Sequence, residues 1–273
     1  MDLRPWALAF TVLDWTERQK AEAWAALQAG CAPALSAAQA AALAQVEADL
    51  PRRHREAAAR GARLLLPGDD GVDALLEPLP YPVALWVRGS LPPVGPRLAI
   101  VGSRRASAQG RDRTRAWARA LTEAGVAVLS GLARGIDGAA HAGALEARAG
   151  ASGIAATWGV LGSGLDHPYP PEHRPLMDRV VAAGGGVLTP FPPEAPPRKW
   201  HFPRRNWLLA AWVDAVLVME AAPRSGSLVT ARLALDLGKE LFVVPGSEGT
   251  DALLEEGAAH PCREPGDLLA FQG

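Results

Sequence analysis

The chain has 273 residues, of which 49% are hydrophobic, with a mean hydropathy of +0.03. That is enough for one large α/β domain with a small appendage and a full core, and it excludes a chain disordered overall. The net charge of -1 and pI near 6.6 exclude a global basic excess, so any affinity for nucleic acid must come from local clustering.

Residues 1–60 are Ala-rich and helical in pattern. Trp6, Phe10 and Leu13 recur at helical spacing, Trp24, Leu27 and Leu35 more loosely, and Pro33 and Pro51 are expected to break the run. No Gly-x-Gly hairpin of the kind that grips a DNA backbone occurs here, so a small packing or interaction module is expected. Residues 61–96 are a Pro/Gly-rich connection with two candidate edge strands, Arg63–Leu66 and Val83–Val87. Pro92, Pro93 and Pro96 mark the way into the main domain at 97–273.

From Arg97 the pattern becomes strand, turn, helix, repeated. Near-continuous apolar runs predict buried strands at Leu98–Val101, Val126–Leu129, Ile154–Leu161, Val187–Leu188, Ala215–Met219 and Leu241–Val244. Helices are expected at Gln109–Ala124, Ile136–Ala149, Pro171–Ala183, Arg204–Val213 and Leu228–Leu237. This alternation implies a right-handed, doubly wound, mostly parallel sheet, with Gly102, Gly131, Gly162, Glu220 and Gly246 on the one edge where such sheets bind ligands.

Two glycine-rich, arginine-bearing turns follow the first two strands. Gly102-Ser103-Arg104-Arg105 allows a tight exit and offers Ser103 and Arg104 to a phosphate; it is neither a dinucleotide fingerprint nor a Walker A sequence. Ser130-Gly131-Leu132-Ala133-Arg134-Gly135-Ile136-Asp137 runs on through small residues to His141, opening a helix whose free N–H groups favour an anion. Asp137 and His141 share a helix face. They suit an acid–base pair, an orienting contact, or a capping Asp with a satisfied His; the last is favoured, since no nucleophile or metal set accompanies them.

A third turn, Gly162-Ser163-Gly164-Leu165-Asp166, leads to Pro171 and Glu172. With His141, His167 and His173 it invites a metal, but the spacing fits no standard set, and no metal or cofactor is expected. The densest basic stretch is Arg198-Lys199-Trp200-His201-Phe202-Pro203-Arg204-Arg205-Asn206-Trp207, where aromatics alternate with cations as a single-strand binder needs. Its rings also suit core positions under a loop, Trp207 above all. Ser225-Gly226-Ser227 would open the next helix and present hydroxyl and N–H groups to an anion. A serine hydrolase elbow, Gly-x-Ser-x-Gly, is absent.

Taken together, these stretches resemble the DprA/Smf (DNA-processing protein A) family. The resemblance is carried by Val101-Gly102-Ser103-Arg104, the Ser130–His141 run, Gly162-x-Gly164-Leu165-Asp166 with Tyr169-Pro170, Phe202-Pro203-x-Arg205-Asn206, Ser225–Ala231, and Val244-Pro245-Gly246. It implies an extended Rossmann-like domain that binds single-stranded DNA without catalysis, protects incoming strands during natural transformation, helps load the RecA recombinase, and acts as a homodimer. The pocket it implies comprises Ser103, Arg104, Gly131, Gly135, Asp137, Lys199, Arg205, Asn206, Ser225, Gly226 and Ser227; the turns and the basic stretch themselves add Gly102, Arg105, Ser130, Arg134 and Arg204 as candidate DNA- and phosphate-binding residues. Leu235, Leu237 and Leu241 become dimer-edge candidates.

Thr189-Pro190 and Trp207 depart from the family pattern, and the loop after Gly246 is short. The N-terminal module matches the family's helical domain poorly, and no C-terminal winged helix is expected after the sixth strand.

Cys31 and Cys262 stand far apart with no CxxC, and no leader or bilayer-length apolar run is evident; a cytoplasmic protein without membrane association is expected. The alternative is a nucleoside-monophosphate phosphoribohydrolase. Pro245-Gly246-Ser247-Glu248-Gly249-Thr250 resembles that family's loop, but Leu253 stands where the catalytic Glu would be.

Overall fold

The structure, a computed structural model, describes residues 2–148 and 157–269. The apolar runs form strands β1 (Arg63–Leu65), β2 (Leu85–Gly89), β3 (Arg97–Val101), β4 (Ala127–Ser130), β5 (Thr157–Val160), β6 (Gly186–Thr189), β7 (Ala215–Val218), β8 (Glu240–Val243) and β9 (His260–Pro261). They make one nine-stranded sheet in the order β1-β2-β6-β5-β4-β3-β7-β8-β9. From β6 to β9 neighbours are parallel; β1 and β2 join antiparallel. The chain builds outward from β3 to β6, then returns to place β7 on the other side of β3. This Rossmann-like reversal is the topological switch point where ligands of such sheets sit.

Eleven α-helices surround the sheet among the described residues: α1 (Arg4–Val12), α2 (Glu17–Gln28), α3 (Ala37–Ala59), α4 (Asp73–Leu76), α5 (Ala108–Glu123), α6 (Ile136–Ala144), α7 (Arg174–Ala182), α8 (His201–Ala211), α9 (Gly226–Asp236), α10 (Glu248–Glu255) and α11 (Pro265–Leu269). Alternation along β3 decides which face each side chain feeds. Leu98 and Ile100 pack with Trp117 and Leu121 of α5 and Ile136 of α6, while Ala99 and Val101 pack with Leu208 and Leu209 of α8 and Ala231 of α9.

The N-terminal helices extend that second core. Trp6, Phe10, Trp15 and Tyr81 form one edge-to-face and tilted ring cluster, with Phe10 and Tyr81 5.5 Å apart. Thr11 Oγ1 accepts from the Ala84 N–H at 2.8 Å, and the Trp212 indole donates to the Leu75 carbonyl at 2.9 Å.

Several expectations need correction. Pro51 lies inside α3 rather than breaking it, because the Ala-rich turns on either side keep the helix going despite the lost N–H. β2 is no edge strand, since β1 and β6 flank it. A further parallel strand, β9, and helix α11 follow β8, with the Cys262 N–H donating to Val243. Helix α8 starts at His201, before Arg204, since Pro203 in the first turn forfeits no bond. The stretch from Pro171 opens as a 3₁₀ turn before α7. Of the expected elements, Ala149 and Ile154–Ala156 lie outside the described residues.

Candidate functional site

At the switch point the loops after β3, β4 and β7, with α8 as one wall, enclose a cavity of about 790 Å³. Backbone bonds sew these loops together. The Ser103 N–H donates to the Glu220 carbonyl at 2.7 Å, and the Ser103 carbonyl accepts from the Ile136 N–H at 3.2 Å. The approach is so close that a Cβ on Gly102 would lie 2.8 Å from the Glu220 carbonyl oxygen, and Gly135 at φ +75 abuts the Ser103 and Arg104 backbone. Only glycine fits at either point.

Several helix N-termini point to this edge, among them those of α5, α6, α9 and α10. Glu220 Oε2 accepts from the Ser107 hydroxyl at 2.7 Å, and its Oε1 from the Ser107 N–H at 3.0 Å, capping α5. Asp137, in the first turn of α6, accepts from the Ala133 N–H at 3.3 Å. The start of α9 has no side-chain cap. Ser225 is its N-cap in extended backbone, yet its hydroxyl pairs with that of Ser227 at 2.8 Å and caps no N–H. An uncapped helix start with two hydroxyls beside it is a ready anion site.

Arg104 and Arg105 face that opening from across the cavity. Both are exposed and form no salt bridge among the described residues, although the Arg104 charge reaches the Asp137 carboxylate and Glu248 lines the same cavity. The Arg104 guanidinium lies 5.1 Å over the Phe202 ring, whose edge contacts Tyr169 at 5.8 Å.

Arg205 has a different task. It is 4% exposed, and its Nη1 donates to the carbonyls of Gly131 and of Val160, the latter at 2.6 Å. Its Nε donates to Asn206 Oδ1 at 2.9 Å, and Asn206 Nδ2 reaches the Gly226 carbonyl at 3.3 Å. A Cβ on Gly131 would overlap the Arg205 guanidinium and lie 2.6 Å from the Asp137 carboxylate.

Burial pushes the Asp137 carboxyl up, opposed by the Arg205 charge. Burial likewise brings Arg205 down to about 10, opposed by Asp137, so it remains a cation at neutral pH. Behind them His141 is fully buried and held down to about 3 by desolvation. Its Nδ1 meets Thr157 Oγ1 at 3.0 Å; because that hydroxyl donates to Val128 at 2.6 Å, Nδ1 must be the donor. His141 Nε2 makes no hydrogen bond of full geometry, and the Ser130 backbone lies within reach of the ring.

The cavity thus brings together Gly102, Ser103, Arg104, Arg105, Gly131, Asp137, Arg205, Asn206, Ser225, Gly226 and Ser227. It does not bring in the others. The Ser130 hydroxyl is buried and donates to the Ile100 carbonyl at 2.6 Å, tying β4 to β3. Gly135 shapes the turn from behind. Arg134 pairs with Glu172 beside a side recess lined by Tyr169 and Phe202. Lys199 is exposed just before α8 and lines no part of the cavity. Arg204 projects from the opposite side of α8 and donates to the Phe10 carbonyl at 3.2 Å. Nor do the arginines of α5 extend the groove: Arg111 donates to the Ala106 carbonyl at 2.5 Å, and Arg115 pairs with Glu146.

Phe202, suited in the sequence to stacking and to the core alike, lines the cavity, and Trp200 is 56% exposed. Leu241 is 2% exposed and unavailable as a dimer edge. Glu220 was legible only as an acid at the end of a buried strand; its capping of α5 spans the sheet. Leu253 is buried at 2% exposure, in the apolar core. Among the described residues no cluster of His, Cys, Asp or Glu is placed to hold a metal ion, and no helix is long and apolar enough to cross a membrane.

Comparison with known proteins agrees with this architecture. The crystal structure of DNA processing protein A from Streptococcus pneumoniae superposes with a TM-score of 0.76 at 29% identity, covering 97% of this chain and 95% of that one. The Helicobacter pylori DNA processing protein A, from a structural study of its single-stranded DNA binding mode, gives 0.66 at 28% identity over 77% of this chain and 94% of that one. Protein Smf of Escherichia coli is 42% identical over 202 residues, 71% of this chain and 52% of that protein. The chain spans about half the length of that relative. The family model for DNA recombination-mediator protein A matches residues 65–272. The chain belongs to the DNA recombination-mediator protein A family, the DprA/Smf family.

Proposed function

We propose that this protein binds single-stranded DNA, independently of sequence and without catalysis, in the cavity at the switch point. The observation that carries the reading is the uncapped start of α9 facing two exposed arginines that form no salt bridge among the described residues. Cations and free N–H groups recognise phosphate, which is common to every sequence. Phe202 and Tyr169 beside Arg104 supply ring faces on which a base stacks. Ser103, Arg104, Arg105, Asn206 and Ser225 to Ser227 are the contacts in this reading. Gly131, Asp137 and Arg205 hold the loops that present them. Lys199 adds an exposed cation near the rim.

In the fuller form of this proposal the protein is a cytoplasmic homodimer that protects incoming single strands in natural transformation and helps load RecA. The single-stranded DNA binding mode of the Helicobacter pylori relative supports the single-strand part. A phosphoribohydrolase role lacks the glutamate that family's loop supplies: Leu253 stands at that place and is apolar and buried.

The test is fluorescence anisotropy with labelled oligo-dT and a matched duplex across a salt series. Salt-sensitive binding that prefers the single strand is expected. No binding of oligo-dT at low salt would overturn the reading. A RecA-loading assay on a pre-coated single strand tests the fuller form, with faster filament growth expected.

A further inference from the structure

A second cavity, of about 940 Å³, lies between α8 and the N-terminal helices. With 3.6 residues per turn, Phe202, Arg205, Asn206 and Leu209 fall on one face of α8, and Arg204 and Trp207 on the opposite one. The first face lines the switch-point cavity and the second lines this one. The two cavities therefore share one helix as a wall, and the exposed segment Arg198-Lys199-Trp200 runs over its N-terminal end.

The second cavity is built of rings and cations. Trp15 and Tyr81 line it from the N-terminal side, Trp200 and Trp207 from α8. Trp200, although 56% exposed, is braced edge-on against His201 at 4.1 Å, and His201 stacks on Phe191 at 3.8 Å. An exposed ring held in one orientation is a stacking platform. The cations Lys20, Arg198 and Arg204 face the carboxylates Asp14 and Glu17. Glu17 is already engaged by Lys20 at 3.0 Å and by the Tyr81 hydroxyl. Arg198 is exposed with no acidic partner among the described residues, leaving its charge for a ligand.

We infer that this cavity takes a nucleobase and its phosphate from the same single strand that fills the switch-point cavity. The base stacks on Trp200 and the phosphate meets Arg198, as the strand passes over the N-terminal end of α8. A helix with its side chains is about 10–12 Å across, which is about three nucleotides at the stacked spacing. The N-terminal helices thereby complete a second subsite. The inference rests on the single-strand reading above.

The test compares the full chain with Trp200→Ala and Arg198→Ala, both at exposed positions, for binding oligo-dT from about 4 to about 20 nucleotides. The shortest oligonucleotides are expected to bind all three proteins alike. The longer ones are expected to gain affinity with the unaltered protein and to bind Trp200→Ala roughly ten-fold more weakly. Irradiation of oligonucleotides carrying one 5-iodouracil should give an adduct at Trp200 only from positions beyond the shortest binding length.

Short oligonucleotides that bind, with a length gain that neither substitution changes and no adduct at Trp200, would overturn this inference alone. No binding at any length would overturn the single-strand reading and this inference with it.

Discussion

The two sides of the switch-point cavity are written in the same residues and do opposite things. On the β4–β5 side Asp137 and Arg205 are committed to the protein: the arginine spends its guanidinium on the Gly131 and Val160 carbonyls, and the carboxylate accepts from the Ala133 N–H in the turn before α6. On the β3–β7 side Arg104 and Arg105 have no such partners, and the start of α9 stays uncapped. A glycine turn with an arginine is therefore not a binding element in itself. It binds only where its charge and N–H groups have been left unspent; elsewhere the same turn is a clamp.

The largest expected effect breaks the clamp. Arg205→Ala leaves the Gly131 and Val160 carbonyls unmet and strands the buried Asp137 carboxylate. The loss should be about 3–5 kcal/mol of unfolding free energy, read by denaturant titration at neutral pH; a loss below ~1 kcal/mol would dissolve the distinction between the two sides. Any fall in DNA affinity of this variant is then a consequence of lost structure.

Ser225→Asp sharpens the comparison from the other side by giving the start of α9 a carboxylate, as Glu220 does for α5. Oligo-dT affinity should fall more than about ten-fold while thermal stability holds or rises by about 0.3–1 kcal/mol, since an acid suits a helix start. Unchanged affinity would remove α9 from the site.

The clamp side also carries a pH signature. His141 is held neutral in the fold, its pKa down at about 3 from burial. The unfolded chain takes the proton first, so the stabilisation is complete above the ordinary pKa near 6.5 and drains away as pH falls toward 3. The slope for this group approaches about 1.4 kcal/mol per pH unit. Unfolding free energies at pH 7 and pH 5 should show it, and His141→Asn, which keeps a donor for Thr157, should flatten it. The raised Asp137 acts the other way, stabilising most at low pH and losing that contribution as pH rises through its folded pKa. An equal slope in both proteins would contradict the assignment to His141.

The smallest effect belongs to Arg104→Ala, which touches only the open side. Stability should stay within about 0.5 kcal/mol. The slope of log affinity against log salt should shrink by about 0.7, one phosphate contact on a single strand.

Much of the frame was legible. The buried strands announced themselves as apolar runs, and the glycines after β3 and β4 marked the edge where they meet, because a parallel strand leaves its sheet through a tight turn. What lay hidden was which polar groups spend themselves on the protein. Nothing local to Ser130 says that its hydroxyl belongs to Ile100, or to Glu220 that it caps a helix more than a hundred residues earlier in the chain. Arg204 and Arg205 read as one basic patch, yet about 100° of helical rotation sends one to the N-terminal helices and buries the other. Phe202, whose surroundings in the sequence suited a stacking ring and a core ring alike, lines the cavity because its face of α8 meets loops rather than strands.

The most direct measurement is the affinity of labelled oligo-dT for the unaltered protein, Arg104→Ala and Ser225→Asp across one salt series. The account predicts salt-sensitive binding by the unaltered protein, a shallower salt slope for Arg104→Ala, and a fall of more than about ten-fold for Ser225→Asp without loss of stability. Binding that both substitutions leave intact would contradict the placement of the DNA backbone in this cavity.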